Sequence, residues 1–218
     1  KSNPSELNVE ELLYSATLFE NNADKLAIYE TAKKQFSNDW RGFNDAGMIL
    51  FEMGKVAEAK TNFQKADELS ANNKVVKNNL GAVELKNGNI NDAEVLFGAA
   101  TGAGDEVNYN KGIIAIMKGD YNTAVQLFGQ CNCVNAALAN LLAGNTSEAA
   151  KKLNANTSDN AMVPYLKAVI AARNNDTNAV LSNLKAACAK NAELKKLAAT
   201  DMEFVKLFGN ADFQAIVK

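Results

Sequence analysis

A short pattern recurs along this chain at a nearly constant interval. A turn residue, usually glycine, is followed five residues later by alanine, or by Val180 in the last copy, and nine residues later by phenylalanine or leucine. The turn residues of the five copies are Gly54, Gly88, Gly119, Gly144 and Asn175. They are separated by 34, 31, 25 and 31 residues. Repeats of about 20–50 residues are typical of helical hairpins stacked into a continuous array.

The segment before each turn residue has the spacing of a helix. In Trp40–Met53, the residues Phe43, Gly47 and Leu50 return at intervals of three and four. A helix commonly ends at a residue with left-handed backbone, and glycine or asparagine tolerates that conformation best. The residues after the turns are Lys55, Asn89, Asp120, Asn145 and Asp176, and four of these five are good helix N-caps. The sequence therefore predicts repeated helix–turn–helix hairpins.

Small residues occupy matching positions in each hairpin. Gly47, Gly81, Gly112, Ala137 and Ala168 each lie seven residues before a turn residue. Two helices can approach closely where both present small side chains, and the phenylalanine that follows fills the remaining gap. We therefore predict that Phe63, Phe97 and Phe128 are buried between adjacent hairpins.

This pattern resembles the tetratricopeptide (TPR) repeat, in which a Leu-Gly pair precedes an Ala-x-x-x-Phe block. Leu80-Gly81 and the blocks described above carry the resemblance, which covers roughly residues 23–188. It implies an all-α fold, a right-handed α-α superhelix (TPR-like solenoid) of about 12–15 helices without a sheet. The chain departs from the family because no proline ends a repeat. The short intervals also indicate shortened helices or turns around Cys131–Leu153.

The two ends of the chain differ from the middle, as expected for an array. Residues 9–36 read as a degenerate first hairpin, and we assign residues 1–199 to the array. Residues 200–218 carry Phe204, Leu207, Phe208 and Phe213 at helical spacing. We predict that they form C-terminal capping helices of the same domain, covering the apolar face of the last hairpin.

The composition removes several classes of function. The chain has 23 basic and 25 acidic residues without a basic block, so we expect no nucleic-acid partner. Its apolar runs are too short for a membrane span. It contains no histidine, so a Ser-His-Asp or Cys-His relay cannot exist. We therefore predict no enzymatic activity, no cofactor and no metal site.

The three cysteines are Cys131, Cys133 and Cys188. Free cysteine often behaves as a small buried hydrophobic residue. We therefore interpret all three as structural or inert thiols, with a metal or redox site at Cys131 and Cys133 as the alternative.

The first helices of the hairpins supply the candidate partner-binding residues. In TPR arrays these helices line the inner groove, and this resemblance implies a surface for a protein or peptide segment. The residues so placed are Arg41, Asn44, Met48, Asn78, Tyr109 and Tyr165. The alternative is that the polar residues only provide solubility and capping. Tyr165 and its apolar neighbours form either the core or an apolar peptide pocket.

A narrower resemblance concerns location. The segments Val9–Leu18, Asn38–Asn44 and Ala99–Asn110 are similar to TPR regions of Gram-negative cell-envelope proteins, some of which also carry an OmpA-like module. This resemblance implies a periplasmic or outer-membrane-associated scaffold without catalysis. The alternative is a structural spacer of a larger envelope protein. Since the chain begins at Lys1 without a signal peptide, we expect it to be a trimmed part of a longer protein. The sequence leaves the oligomeric state open.

Overall fold

The computed structural model describes residues 7–218, in which all regular secondary structure is helical. These residues form fourteen α-helices and one 3-10 helix, and no strand is present among them. The α-helices are α1 Val9–Ala16, α2 Asn22–Gln35, α3 Trp40–Glu52, α4 Val56–Leu69, α5 Lys74–Lys86, α6 Ile90–Ala99, α7 Asp105–Met117, α8 Tyr121–Phe128, α9 Val134–Leu142, α10 Thr146–Ala155, α11 Met162–Arg173, α12 Thr177–Lys190, α13 Leu194–Thr200 and α14 Ala211–Val217. The 3-10 helix is Met202–Leu207. The predicted all-α class and helix number are confirmed.

The predicted turn residues end their helices as expected. Gly54 has a φ of 76°, and Asn175 has a φ of 57°. The Gly54 N–H donates to Phe51 O at 3.0 Å, and the Lys55 N–H donates to Leu50 O at 2.9 Å. The same two bonds recur at the other four turns, so each helix end has its last carbonyl groups satisfied by a Schellman motif.

The N-cap prediction is only half right. Asp120 and Asp176 each accept a hydrogen bond from the backbone N–H three residues later. Asn89 and Asn145 make no such bond. The Asn89 side chain donates instead to the carboxylate of Glu84 at 2.7 Å, because this buried acid needs hydrogen-bond donors.

The chain divides into two compact units, Lys1–Ile114 and Ala115–Lys218. The first six residues of the predicted array lie outside the described residues. In the first unit, each repeat phenylalanine packs on a glycine of its own hairpin. A Cβ atom at Gly47 would lie 2.7 Å from the Phe63 ring, and one at Gly81 would lie 2.6 Å from the Phe97 ring.

The burial prediction holds for all three phenylalanines, which are at most 5% exposed. Phe63 also shares a core cluster with Val76 and Leu80 of the next hairpin. The ring therefore fills space within its hairpin as well as between hairpins.

The second unit starts with short helices and ends in a compact cap. Helices α8, α9 and α10 have 8, 9 and 10 residues, which confirms the predicted shortening. Phe204 and Phe213 of the C-terminal segment are fully buried in the same core cluster as Leu184 of α12. The first predicted capping helix is a 3-10 helix, and the separate helix α13 was not predicted.

Candidate functional site

The predicted partner-binding residues of the first unit lie on the first helices α3, α5 and α7. Met48 on α3 is 44% exposed, and Tyr109 on α7 is 36% exposed. Arg41 on α3 and Asn78 on α5 are half-buried. We call these four residues the first-helix face.

Amide side chains connect the three helices behind this face. The Asn79 amide donates to Asn44 Oδ1 at 2.8 Å, and the Asn110 amide donates to Asn78 Oδ1 at 3.0 Å. Asn44 is only 4% exposed, so it lies below the surface and joins α3 to α5. Asn79 and Asn110 were not among the residues predicted from the sequence. The signal was present, because Asn110 follows Asn78 by 32 residues, close to the repeat length.

The positive charge of Arg41 is paired within the chain. Its guanidinium makes an ion pair with Asp39 at 2.7 Å and a longer one with Glu10 at 3.5 Å. The side-chain hydrogen bonds from Arg41 lower the pKa of Asp39, and the same bonds raise the pKa of Arg41. A ligand that uses this cation must therefore compete with two carboxylates of the chain.

A half-buried acid lies next to Asn44. Asp45 accepts a hydrogen bond from the Asn44 amide at 3.0 Å. Burial raises its pKa, although the bond to Asn44 and the charge of Arg41 act in the opposite direction. The acid therefore lacks enough compensation for the loss of its hydration.

Tyr165 belongs to the core of the second unit. It is 2% exposed, its hydroxyl donates to Asp201 Oδ2 at 2.7 Å, and its ring packs edge-on against Phe204 at 5.8 Å. Burial, followed by the bond to Asp201, raises its pKa. Of the two alternatives, the structure shows the core.

The structure corrects the interpretation of two cysteines as inert thiols. Cys131 and Cys133 form a disulfide, with their Cα atoms 5.3 Å apart. Cys188 is a buried free thiol, as expected, and burial raises its pKa.

Two further predictions concern metal sites and membrane spans. Within residues 7–218, no group of three or more His, Cys, Asp or Glu side chains is placed to hold a metal ion. No helix in this part of the chain is long and apolar enough to cross a membrane.

Comparison with known proteins agrees with the repeat pattern. Residues 41–73 match the family model described as "Tetratricopeptide repeat". This range contains α3, the turn at Gly54 and α4. The family match therefore concerns one hairpin of the array. A search of curated proteins finds no significant match.

Several solved structures share the fold. The chain is similar to a chain of the APC/C hetero-tetramer Cut9-Hcn1, with a TM-score of 0.78 and 14% identity over 96% of this chain and 43% of that one. It is also similar to PilW, a "widely conserved type IV pilus biogenesis factor", with a TM-score of 0.68 and 16% identity over 91% and 97% of the two chains.

A third similar structure is YrrB, "a TPR protein with an unusual peptide-binding site". Its TM-score is 0.51, and the identity is 18% over 76% of this chain and 93% of that one. The chain thus spans less than half of the Cut9-Hcn1 chain that it matches and nearly all of PilW. At these identities the likeness shows the fold, and the predicted TPR-like fold class is confirmed.

Proposed function

We propose that this chain is a non-enzymatic scaffold that binds a protein or peptide segment on its first-helix face. The observation that carries this proposal is the exposure of Met48 and Tyr109 on first helices of the array. Both are large side chains placed on the helices that line the groove in TPR arrays. Aromatic residues and methionine are enriched in protein interfaces because they offer a large contact area at low entropic cost.

The amide bonds behind the face support the proposal. The bonds Asn79–Asn44 and Asn110–Asn78 hold α3, α5 and α7 at fixed spacing. A surface that is already ordered before binding loses less entropy when a ligand arrives. The polar groups of Arg41 and Asn78 lie beside the apolar ones, a mixture able to bond a peptide backbone and to pack its side chains. The PilW and YrrB likenesses are consistent with a scaffold of this kind.

A binding experiment tests the face directly. Peptides displayed on phage are selected against the full chain, and an enriched peptide is titrated into three proteins by calorimetry. The test variant is Met48→Ala/Tyr109→Ala, and the control is Val95→Ala, which removes a 73% exposed side chain from the second helix α6. We expect the double variant to bind at least about tenfold more weakly, a loss of about 1.4 kcal/mol, and the control to bind as the wild type does.

The variants avoid Asn44 and Tyr165 for a physical reason. Both side chains are buried and hydrogen-bonded, so their replacement would disturb folding together with binding. Equal affinity of all three proteins would show that the face is assigned wrongly. Failure of any peptide to enrich would favour the alternative of a structural spacer.

We further propose that this scaffold works in a bacterial cell-envelope assembly, at the periplasmic or outer-membrane side. The support is the resemblance of Val9–Leu18, Asn38–Asn44 and Ala99–Asn110 to envelope TPR regions, together with the PilW fold. Fractionation of native cells with an antibody against this chain tests the location. Recovery in the cytoplasmic fraction would overturn it.

A further inference from the structure

The connection between α8 and α9 contains the disulfide of the chain. Cys131 and Cys133 are joined across the single residue Asn132, and both cysteines are half-buried. Because only one residue separates them, the closed loop is very short. The chain entropy that a disulfide removes from the unfolded state grows with the logarithm of loop length, so this bond restricts the unfolded chain little.

Side chains of α10 already hold the same connection. The Lys152 ammonium donates to Gly129 O at 2.9 Å and to Cys131 O at 3.1 Å. The Asn156 amide donates to Asn132 O at 2.6 Å. Three backbone carbonyls of the loop are therefore fixed without the sulfur atoms. The disulfide therefore adds little to the constraint on this loop, and its two cysteines, only two positions apart, remain close together when it opens.

The two cysteines are not equivalent. Cys133 is the N-cap residue of the nine-residue helix α9, and its side chain makes no cap hydrogen bond. The N-terminal end of a helix carries partial positive charge, which stabilises a thiolate there. The buried ammonium of Lys152 bonds Cys131 O and adds a positive charge to the loop that favours a thiolate at either cysteine, so the helix end alone distinguishes Cys133. A lower thiol pKa makes the better leaving group in thiol–disulfide exchange.

We propose that the Cys131–Cys133 disulfide is a thiol–disulfide exchange site. A thiolate of the reacting partner attacks Cys131 Sγ, forming a mixed disulfide and breaking the bond to Cys133. The bonding electrons leave with Cys133 Sγ as a thiolate. A second thiol of the partner attacks the mixed disulfide, releasing the partner as a disulfide and this chain as a dithiol. Two electrons pass from the two partner thiols to the two cysteines, and the reverse reaction regenerates the bond.

The first test measures whether the bond exchanges in the folded protein. The full-length Cys188→Ala variant, which removes the buried third thiol, is oxidised and then incubated with reduced glutathione or with a reduced dithiol peptide. Free thiols are counted by alkylation and intact mass. We expect two thiols to appear, with helical circular dichroism retained and the melting temperature lowered by less than about 6 °C.

Both results of this test are decisive. Reaction with reduced glutathione or with the dithiol peptide supports the exchange site. The reagent that reacts faster indicates whether the reacting partner is a small-molecule thiol or a protein dithiol. Thiols that appear only in denaturant, or a loss of helix on reduction, would overturn it.

The second test assigns the order of the two cysteines. The exchange with glutathione is quenched part-way with iodoacetamide, and the peptides are mapped by mass spectrometry. We expect glutathione on Cys131 and the alkyl group on Cys133. The single variants Cys131→Ser and Cys133→Ser provide an independent measure, since titration of the remaining thiol should give a lower pKa for Cys133. Glutathione on Cys133, or equal pKa values, would reject the assigned order.

Discussion

The two units fill equivalent positions of their hairpins with different pairs of side chains. In the first unit, glycine lies on the first helix and phenylalanine on the second, as in Gly47 with Phe63. In the last two hairpins, both within the second unit, the corresponding residues are alanine and leucine, as in Ala137 with Leu153, both in its core cluster. A larger residue on one helix is matched by a smaller one on the other. The combined volume of the two facing side chains therefore stays nearly constant between hairpins. This explains how alanine and leucine can replace glycine and phenylalanine without loss of the hairpin.

The units also differ in the charges that they bury. The first contains the acids Asp45 and Glu84, whereas the second buries the ammonium of Lys152. Glu84 pairs with Lys60 of α4 at 2.7 Å and with Asn89 of the turn that follows its own helix. Lys152 bonds the carbonyls of an irregular connection between two short helices. In the shortened hairpin, a polar side chain thus satisfies backbone carbonyl groups of the connection that no helix pairs.

Removal of the C-terminal cap should have the largest effect. Deletion of residues 200–218 takes Phe204 and Phe213 out of the core of the second unit, where both are fully buried. Each buried phenylalanine contributes about 3–5 kcal/mol, so we expect a large fall in melting temperature and in soluble yield. Thermal melting of the truncated and full chains measures this. A soluble truncation with unchanged melting would show that the cap is not part of the unit's stability.

The next largest loss of stability should come from truncating single side chains in the core. We expect Phe63→Ala to lower the free energy of unfolding by about 3–5 kcal/mol and Leu153→Ala by about 2–5 kcal/mol. Both side chains are at most 2% exposed. Urea unfolding measures both values, with Val95→Ala as the control, whose effect should stay within about 0.5 kcal/mol. Unchanged unfolding of Phe63→Ala would contradict the repeat phase assigned to the first unit.

The volume match can be tested by converting one pair into the other. Gly47→Ala places a methyl group 2.7 Å from the Phe63 ring, and we expect it to cost about 1–3 kcal/mol. Phe63→Leu removes volume from the same place. The double variant Gly47→Ala/Phe63→Leu should lose less stability than the sum of the single variants, because each change relieves the other. Strict additivity in urea unfolding would show that the two positions do not exchange volume.

The half-buried Asp45 and the buried Glu84 of the first unit should respond to pH in opposite directions. Burial raises the pKa of Asp45, so its contribution to stability is complete below its ordinary pKa of 3.8 and is lost as the pH rises. Hydrogen bonds from Asn89 and Lys60 lower the pKa of Glu84, so its contribution is present above its ordinary pKa of 4.5 and is lost as the pH falls through the folded-state value.

Two isosteric variants measure this difference. At pH 7 we expect Asp45→Asn to raise the melting temperature and Glu84→Gln to lower it, each by about 2–4 °C. Both differences should shrink as the pH is lowered towards 4. A stabilising effect of Glu84→Gln at pH 7 would contradict the assigned role of its two partners.

Local signals in the sequence determined the helices and the turns between them. Gly54, Gly88, Gly119, Gly144 and Asn175 end their helices in left-handed backbone as predicted. A glycine or asparagine can be recognised there from its neighbours alone, because the steric preference and the Schellman bonds involve residues within one turn. The repeat interval then predicted which phenylalanines are buried.

The roles of the polar residues followed from the tertiary structure. Asn44, Asn89 and Tyr165 were assigned to a partner surface or a helix cap, yet each is bonded within the chain. For Asn44 and Tyr165 the bonding partner lies 35 or 36 residues away. An amide or hydroxyl group can satisfy its hydrogen bonds locally, in water or across hairpins, and sequence spacing does not choose among these.

The cysteines show the same limit. The Cys-x-Cys spacing left a thiol, a metal ligand and a disulfide open, and the structure shows the disulfide, in a connection that Lys152 and Asn156 bond from the neighbouring helix. Short-range backbone preference therefore fixed where each helix begins and ends. Which polar groups meet was decided by packing, because it brings together side chains and backbone carbonyls that are more than twenty residues apart in the chain.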